Sequence, residues 1–287
     1  MKEKPKVSFI FGTRPEAIKL APVILEFQKC NEITTNVILT GQHKELIHPI
    51  LDLFNLKADK NLDIMKVGQT LSEITSKVLL GLKEEFSLNK PDMIMVQGDT
   101  TSAMAGALAG FYQKIKIAHI EAGLRTNDLF NPYPEEANRR IISQISTLNF
   151  APTEKSKNNL KSSGIKSYVE VTGNTVIDAF LYIANKKKLE LKKEEILDDK
   201  KLLLVTVHRR ENWGSRLEQI AYGLKDIVDE FKQISIIIPM HPNTILRKTL
   251  RKILGGNENI ILTEPMTYDE FIKTIYKCDF ILTDSGG

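Results

Sequence analysis

The chain has 287 residues, too many for one ordinary α/β unit at roughly 100–200 residues per domain and about right for two. Hydrophobic residues make up 42% and charged residues 26%, a globular balance that excludes disordered, collagen-like and coiled-coil classes. Forty Lys+Arg against 36 Asp+Glu leave a charge of +4 with no basic block, so composition does not argue for a nucleic-acid partner. The two cysteines, Cys30 and Cys278, lie outside any CxxC or Cys/His cluster, which leaves disulfide frameworks and structural zinc without support and fits a reduced, cytoplasmic setting. No apolar run approaches the roughly 20 residues of a membrane span, so no membrane partner is expected.

In chain order the first signal is an apolar, β-prone run, Val7–Phe11, followed by Gly12-Thr13-Arg14-Pro15-Glu16 and a helical pattern from Ala17 to about Lys29. Thr13 three residues before Glu16 is a capping box, and Pro15 falls in the first turn, where its missing N–H does no harm. The same grammar recurs at Asn36–Leu39 with Gly41-Gln42-His43, and at Met93–Val96 with Gln97-Gly98-Asp99 and the small-residue helix Ala103–Phe111. It recurs again at Ile115–Ile120 with Glu121-Ala122-Gly123, at Ser146–Phe150 with Ala151-Pro152-Thr153, and at Tyr168–Val171 with Gly173-Asn174. Strands alternating with helices predict an α/β fold with a mainly parallel sheet, and in such sheets the ligand site lies beyond the carboxyl ends of the strands.

A helix from Thr175 to about Lys187 runs into a charged stretch to Lys201 that reads as a solvated helix and linker. The domain boundary is expected near Asn174, giving domains of residues 1–174 and 175–287. A second βα series then follows: Leu202–Val207 ending at His208, Ile234–Pro239 at His241, Asn259–Leu262 at Glu264-Pro265, and Phe280–Thr283 at Asp284-Ser285-Gly286-Gly287. Because a doubly wound unit normally has about five or six strands, this second domain is expected to be incomplete.

Three carboxylates stand in sibling loops. Asp99 could be a helix N-cap, and Glu135 with Glu136 could simply favour a helix dipole. Glu121 has no helix to cap and would need a partner if buried, such as Arg125 or His119. Arg14, Lys19, His208, Arg209 and Arg210 supply cations near strand ends, and Ser285-Gly286-Gly287 offers free backbone N–H groups at a helix start. Together they describe a cleft that binds a di-anion and moves protons. No Walker A run, GxGxxG fingerprint or metal-ligand spacing is present, which disfavours nucleotide hydrolysis, dinucleotide redox and metal catalysis; His241-Pro242-Asn243 could equally be an ordinary turn.

The segments from Phe11 to Pro22, Gln97 to Thr100, His119 to Thr126, Pro134 to Arg139, Gly173 to Asp178, His208 to Asn212 and Asp284 to Gly287 resemble, in order, the motif series of the non-hydrolysing UDP-N-acetylglucosamine 2-epimerases. The resemblance implies two Rossmann-like doubly wound domains facing across a cleft, the GT-B arrangement, with neither metal nor nicotinamide as cofactor. It implies interconversion of UDP-GlcNAc and UDP-ManNAc for polysaccharide biosynthesis, in a homodimer. By similarity Asp99, Glu121 and Glu135 line the sugar pocket as catalytic residues, Arg14, Lys19 and His208 hold the diphosphate, and His208 is also expected to act catalytically by protonating the leaving UDP. Arg139, Asn174, Ser285, Gly286 and Gly287 join the substrate-binding set, while Gln42, His43, Gln69 and Arg210 resemble parts of an allosteric UDP-GlcNAc site.

The chemistry explains why such a set is needed. C2–H of the sugar is not adjacent to a carbonyl, whereas loss of UDP from C1 builds oxocarbenium character that acidifies it. Anti elimination to 2-acetamidoglucal and re-addition of UDP therefore requires carboxylates for the proton and the positive charge, and cations for the diphosphate. A hydrolysing relative, an epimerase of a modified UDP-aminosugar and a catalytically silent UDP-sugar-binding fragment are the alternatives.

Overall fold

The computed structural model describes residues 4–42, 44–186, 200–207, 209 and 212–284. Contacts divide the chain into two compact units, Met1–Tyr182 and Ile183–Gly287.

The first unit runs β1 (Lys6–Phe11), α1 (Arg14–Lys29), β2 (Thr34–Leu39), α2 (Lys44–Leu53), β3 (Lys60–Asn61), α3 (Leu71–Leu88), β4 (Met93–Gln97), α4 (Thr101–Tyr112), β5 (Lys116–Ile120), α5 (Glu135–Ile145), β6 (Leu148–Ala151), α6 (Glu154–Ser162), β7 (Tyr168–Val171) and α7 (Thr175–Lys186). Its seven strands are ordered β3-β2-β1-β4-β5-β6-β7, and every pairing is parallel. β1 is an interior strand, and its Phe9, Ile10 and Phe11 are fully buried, as expected for a strand covered on both faces. The chain leaves β1 toward β2 and later returns to pair with β1's other edge at β4. The strand order therefore reverses between β1 and β4, which opens a crevice at their carboxyl ends.

The small residues of α4 let it press onto this sheet. A Cβ on Gly110 would stand 2.4 Å from Ile94 Cδ1, so the helix can approach only if that position has no side chain. Ala103, Ala105, Ala107 and Ala109 are buried with Ile10, Ile94, Val96 and Ile117 in the main core. α3 packs along α4, and its start is fixed by a capping box in which Thr70 accepts from Glu73 N and Glu73 accepts from Thr70 N.

The division into units falls inside α7, later than the boundary expected near Asn174. Tyr182 stacks on Phe54, the residue after α2, with centroids 5.1 Å apart, and this holds the first two turns of α7 with the first unit. Most of the charged stretch read as a linker, residues 187–199, lies outside the described residues.

The second unit contains β8 (Lys201–Thr206), α8 (Ser215–Glu230), β9 (Ile234–Pro239), α9 (Thr244–Leu254), β10 (Ile260–Thr263), α10 (Tyr268–Lys277) and β11 (Phe280–Thr283). Its parallel sheet has the order β10-β9-β8-β11, with the reversal between β8 and β11. Leu217, Ala221 and Leu224 of α8 and Leu246, Leu250 and Leu254 of α9 cover it at helical spacing. Asn243 caps α9 by accepting from Ile245 N and Leu246 N, and His241 Nδ1 accepts from Asn243 N, so His241-Pro242-Asn243 forms a capping turn. Among the described residues no helix is long and apolar enough to cross a membrane.

Candidate active site

The crevice of the first unit is walled by the loops after β1, β4 and β5. Gly12, which ends β1, must be glycine on steric grounds. A Cβ there would lie 2.0 Å from Thr40 Oγ1 and 2.7 Å from Ser102 Oγ, the two hydroxyls that bind each other at 3.0 Å where the β2 and α4 loops meet.

Glu16 ties two of these loops together. One carboxylate oxygen accepts from Gly12 N at 3.1 Å and Thr13 N at 2.8 Å, and the other accepts from Thr100 Oγ1 at 2.8 Å. Burial pushes its pKa up, against the opposing pull of these hydrogen bonds. The capping pair expected from Thr13 and Glu16 thus does more than start α1: it fixes the β1 loop to the residue after Asp99. Thr100 is itself the N-cap of α4, accepting from Ala103 N at 3.0 Å. That removes the N-cap reading of Asp99 and leaves its side chain free for other work.

Asp99 is held by Arg139 of α5. Nε and Nη2 of the guanidinium donate to the same carboxylate oxygen, at 2.9 and 2.5 Å. Asn138 Nδ2 also donates to the Asp99 carbonyl at 2.9 Å. The next turn-mate, Glu136, is fully buried and accepts from Arg139 Nη1 at 3.2 Å, Arg140 Nε at 2.8 Å and Thr126 N at 3.1 Å. Burial alone would raise its pKa, but the Arg140 hydrogen bond, the Thr126 N–H and the Arg139 charge outweigh it, and its carboxyl sits below the ordinary value.

Glu121 occupies the turn after β5 with a φ of +62°, a left-handed conformation that costs a non-glycine residue about 1–2 kcal/mol. Lys19 Nζ of α1 donates to its Oε2 at 2.5 Å, Gln97 Nε2 donates to the same oxygen, and Asn174 Nδ2 donates to Oε1 at 3.4 Å. Neither partner expected from sequence is used. His119 Nε2 binds the Gly98 carbonyl at 2.7 Å, and Arg125 donates to the Leu124 carbonyl and Ser143 Oγ. The left-handed turn carries Glu121 away from both and toward α1. Burial holds the His119 pKa down to about 4, so its ring is neutral at physiological pH.

Glu135 opens α5. Its Oε2 is buried and has no hydrogen-bond partner among the described residues, which marks it as an acceptor left open at a helix start. Arg14, at the first position of α1, is exposed. Gln42 accepts from Ser102 Oγ at 2.6 Å, beside the α4 start. Gln69 sits before α3, its Oε1 accepting from Lys66 N and its Nε2 buried without a partner among the described residues.

The structure therefore joins Lys19, Glu121 and Asn174 in one cluster and Asp99 with Arg139 in another, while Arg14, Gln42 and Gln69 enter neither. His43, His208, Arg210, Ser285, Gly286 and Gly287 lie outside the described residues. In the second unit, Asp284 accepts from Arg209 N at 2.9 Å and Asn212 Nδ2 at 3.0 Å, so the loop after β8 is pinned to the end of β11. Gln97, Glu16, Glu136 and Asn138 were not singled out as site residues. Gln97 was findable as a polar residue ending an otherwise apolar strand, where a buried amide must meet a partner. Among the described residues, no three His, Cys, Asp or Glu side chains gather as a metal site would require.

Residues 25–287 match the family model described as UDP-N-acetylglucosamine 2-epimerase. A UDP-N-acetylglucosamine 2-epimerase of Neisseria meningitidis serogroup A is 47% identical over 98% of this chain and 78% of its own length. The crystal structure of UDP-GlcNAc 2-epimerase from Neisseria meningitidis bound to UDP-GlcNAc superposes with a TM-score of 0.87 at 46% identity, covering 98% of this chain and 78% of that one. The Methanocaldococcus jannaschii enzyme in complex with UDP-GlcNAc and UDP has a TM-score of 0.77 at 37% identity, over 98% of this chain and 79% of that one. The chain belongs to the UDP-N-acetylglucosamine 2-epimerase family.

Proposed function

We propose that this protein interconverts UDP-GlcNAc and UDP-ManNAc by anti elimination of UDP to 2-acetamidoglucal and re-addition, without metal or nicotinamide. The observation that carries this reading is the pairing of Glu121 with Lys19, Gln97 and Asn174 beside the Asp99–Arg139 pair, both at the carboxyl ends of neighbouring parallel strands. A carboxylate held by one ammonium and two amides is oriented, as a base or a stabiliser of oxocarbenium charge must be. Asp99 is oriented in the same way by its guanidinium, and Glu135 brings an oxygen that no donor among the described residues has claimed.

In this reading the three carboxylates line the sugar pocket and serve the two faces of C2. Arg14, exposed at the start of α1, takes the diphosphate. Lys19 lies one turn further along α1 and links the diphosphate side to Glu121. His208 and the Ser285-Gly286-Gly287 loop keep the phosphate-binding parts that the resemblance gives them, and Gln42, His43, Gln69 and Arg210 keep the regulatory part. The protein works as a cytoplasmic homodimer. Exposed Leu80 and Leu88 of α3, with Phe111 and Tyr112 at the end of α4, supply apolar surface for self-association.

The test is incubation with UDP-GlcNAc in deuterated water with no added NAD or metal. The mechanism requires UDP-ManNAc that carries deuterium at C2. Epimerised product with undiminished C2 protium overturns the mechanism, and free ManNAc with UDP as the products assigns the protein to the hydrolysing class.

A further inference from the structure

Three guanidiniums gather about α5: Arg139 and Arg140 on the helix and Arg125 on the loop after β5. Arg139 is matched by Asp99, and Arg139 and Arg140 share the single buried carboxylate of Glu136. Arg125, the third guanidinium of this region, makes no direct ion pair among the described residues; the carboxylate that attracts it, Glu136, is already bound by Arg139 and Arg140. It donates to the Leu124 carbonyl and to the Ser143 hydroxyl, and its Nε is buried with no hydrogen-bond partner among the described residues. Partial burial lowers the Arg125 pKa, the charge of Glu136 opposes that, and repulsion from Arg140 and Arg139 adds to the lowering. Arg125 is also not needed where sequence reasoning first placed it, because Glu121 takes Lys19 instead.

Arg125 and Arg140 line the same groove of about 350 Å³, together with Asn127, Gln144, Asn159 and Ser162. The groove lies between the loop after β5, the middle of α5 and the end of α6. Asn159 and Gln144 already spend an amide on the Gly123 and Ser163 carbonyls, which fixes the walls and leaves the guanidiniums, Asn127 and the Ser162 hydroxyl for a ligand. We propose that this groove is a second anion site, apart from the crevice, which takes a tetrahedral oxyanion of the phosphate class between Arg125 and Arg140. Two guanidiniums at one mouth suit an oxyanion with several acceptor oxygens, and the polar walls give an apolar ligand nothing to bury against. The site also joins the catalytic network at one end. Arg140 would be shared between the anion and Glu136, and Glu136 in turn holds the guanidinium that holds Asp99.

The probe is inorganic phosphate, and the readout is the Arg Nε–Hε resonances of the intact protein, with the Arg125 signal assigned by its loss in Arg125→Gln. Phosphate should shift the Arg125 and Arg140 signals saturably with a Kd of roughly millimolar order, while sodium chloride at matched ionic strength should not. Exposed Ser162→Glu, which places a carboxylate at the groove mouth without touching the core, should weaken that response about tenfold or more. Shifts that chloride reproduces, no saturable shift, or a phosphate response unchanged in Ser162→Glu would each overturn the site. Because the readout is local to the groove, its failure leaves the epimerase reading untouched.

Discussion

The start of α1 and the end of β5 each present a glutamate to the same crevice, Glu16 buried and Glu121 partly buried, and the two are satisfied in different ways. Glu16 meets two backbone N–H groups and a threonine hydroxyl, all neutral and all belonging to loops that must be held in place. Glu121 meets an ammonium and two amides, from a strained left-handed turn, on residues drawn from α1, β4 and the loop after β7. A carboxylate saturated by neutral local donors is scaffold. One gathered by a distant cation at a conformational cost, or left with an open oxygen as Glu135 is, is set up for chemistry.

The largest effects should come from the second group. Asp99→Asn, Glu121→Gln and Glu135→Gln should each lower turnover by roughly two to four orders of magnitude while the protein stays folded. Retained activity with reduced stability in any of them would move that residue to the scaffold. Glu136→Gln should act mainly on stability, because it leaves Arg139 and Arg140 without their shared charge; a loss of about 3 kcal/mol in denaturant unfolding is expected. Unchanged stability would show that the Glu136 pairs contribute nothing net.

A third test uses pH. His119 is neutral in the folded protein down to about pH 4, while the unfolded chain takes up the proton near 6.5. Its share of stability is therefore full above pH 6.5 and lost as the pH falls toward 4, by roughly 3 kcal/mol in total. Glu16, with a raised pKa, works in the opposite sense, so the informative comparison is between the parent and His119→Gln, whose stability should fall less over that window. Parallel profiles would contradict the assigned burial of a neutral ring. The smallest effect belongs to Glu16→Gln, expected to cost about 1 kcal/mol and to keep turnover within about tenfold, since the amide can still accept from the α1 start.

The contrast between the two glutamates was only partly legible in the sequence. The central strands were plain, because a strand buried on both faces reads as an unbroken apolar run, and β7, β9 and β11 fall on their expected bounds. β3, with two residues and no apolar run, carries too little pattern to be read. Asp99, Glu121 and Glu135 could be picked out by their places after strands and at a helix start. Their partners could not, since Lys19 and Glu121 are 102 residues apart and meet only because the strand order reverses at β1. Positive φ at Glu121 has no sequence signature either, because nothing in Ile120-Glu121-Ala122 demands it.

The central claim is that chemistry belongs to the Glu121 region and scaffolding to the Glu16 region. The most direct measurement compares the rate of deuterium entry at C2 of UDP-GlcNAc in Glu121→Gln and Glu16→Gln, each alongside its unfolding midpoint. The account predicts exchange reduced at least about a hundredfold in Glu121→Gln with a parental midpoint, and near-parental exchange with a lowered midpoint in Glu16→Gln. Near-parental exchange in Glu121→Gln, or the larger loss of exchange in Glu16→Gln, would contradict it.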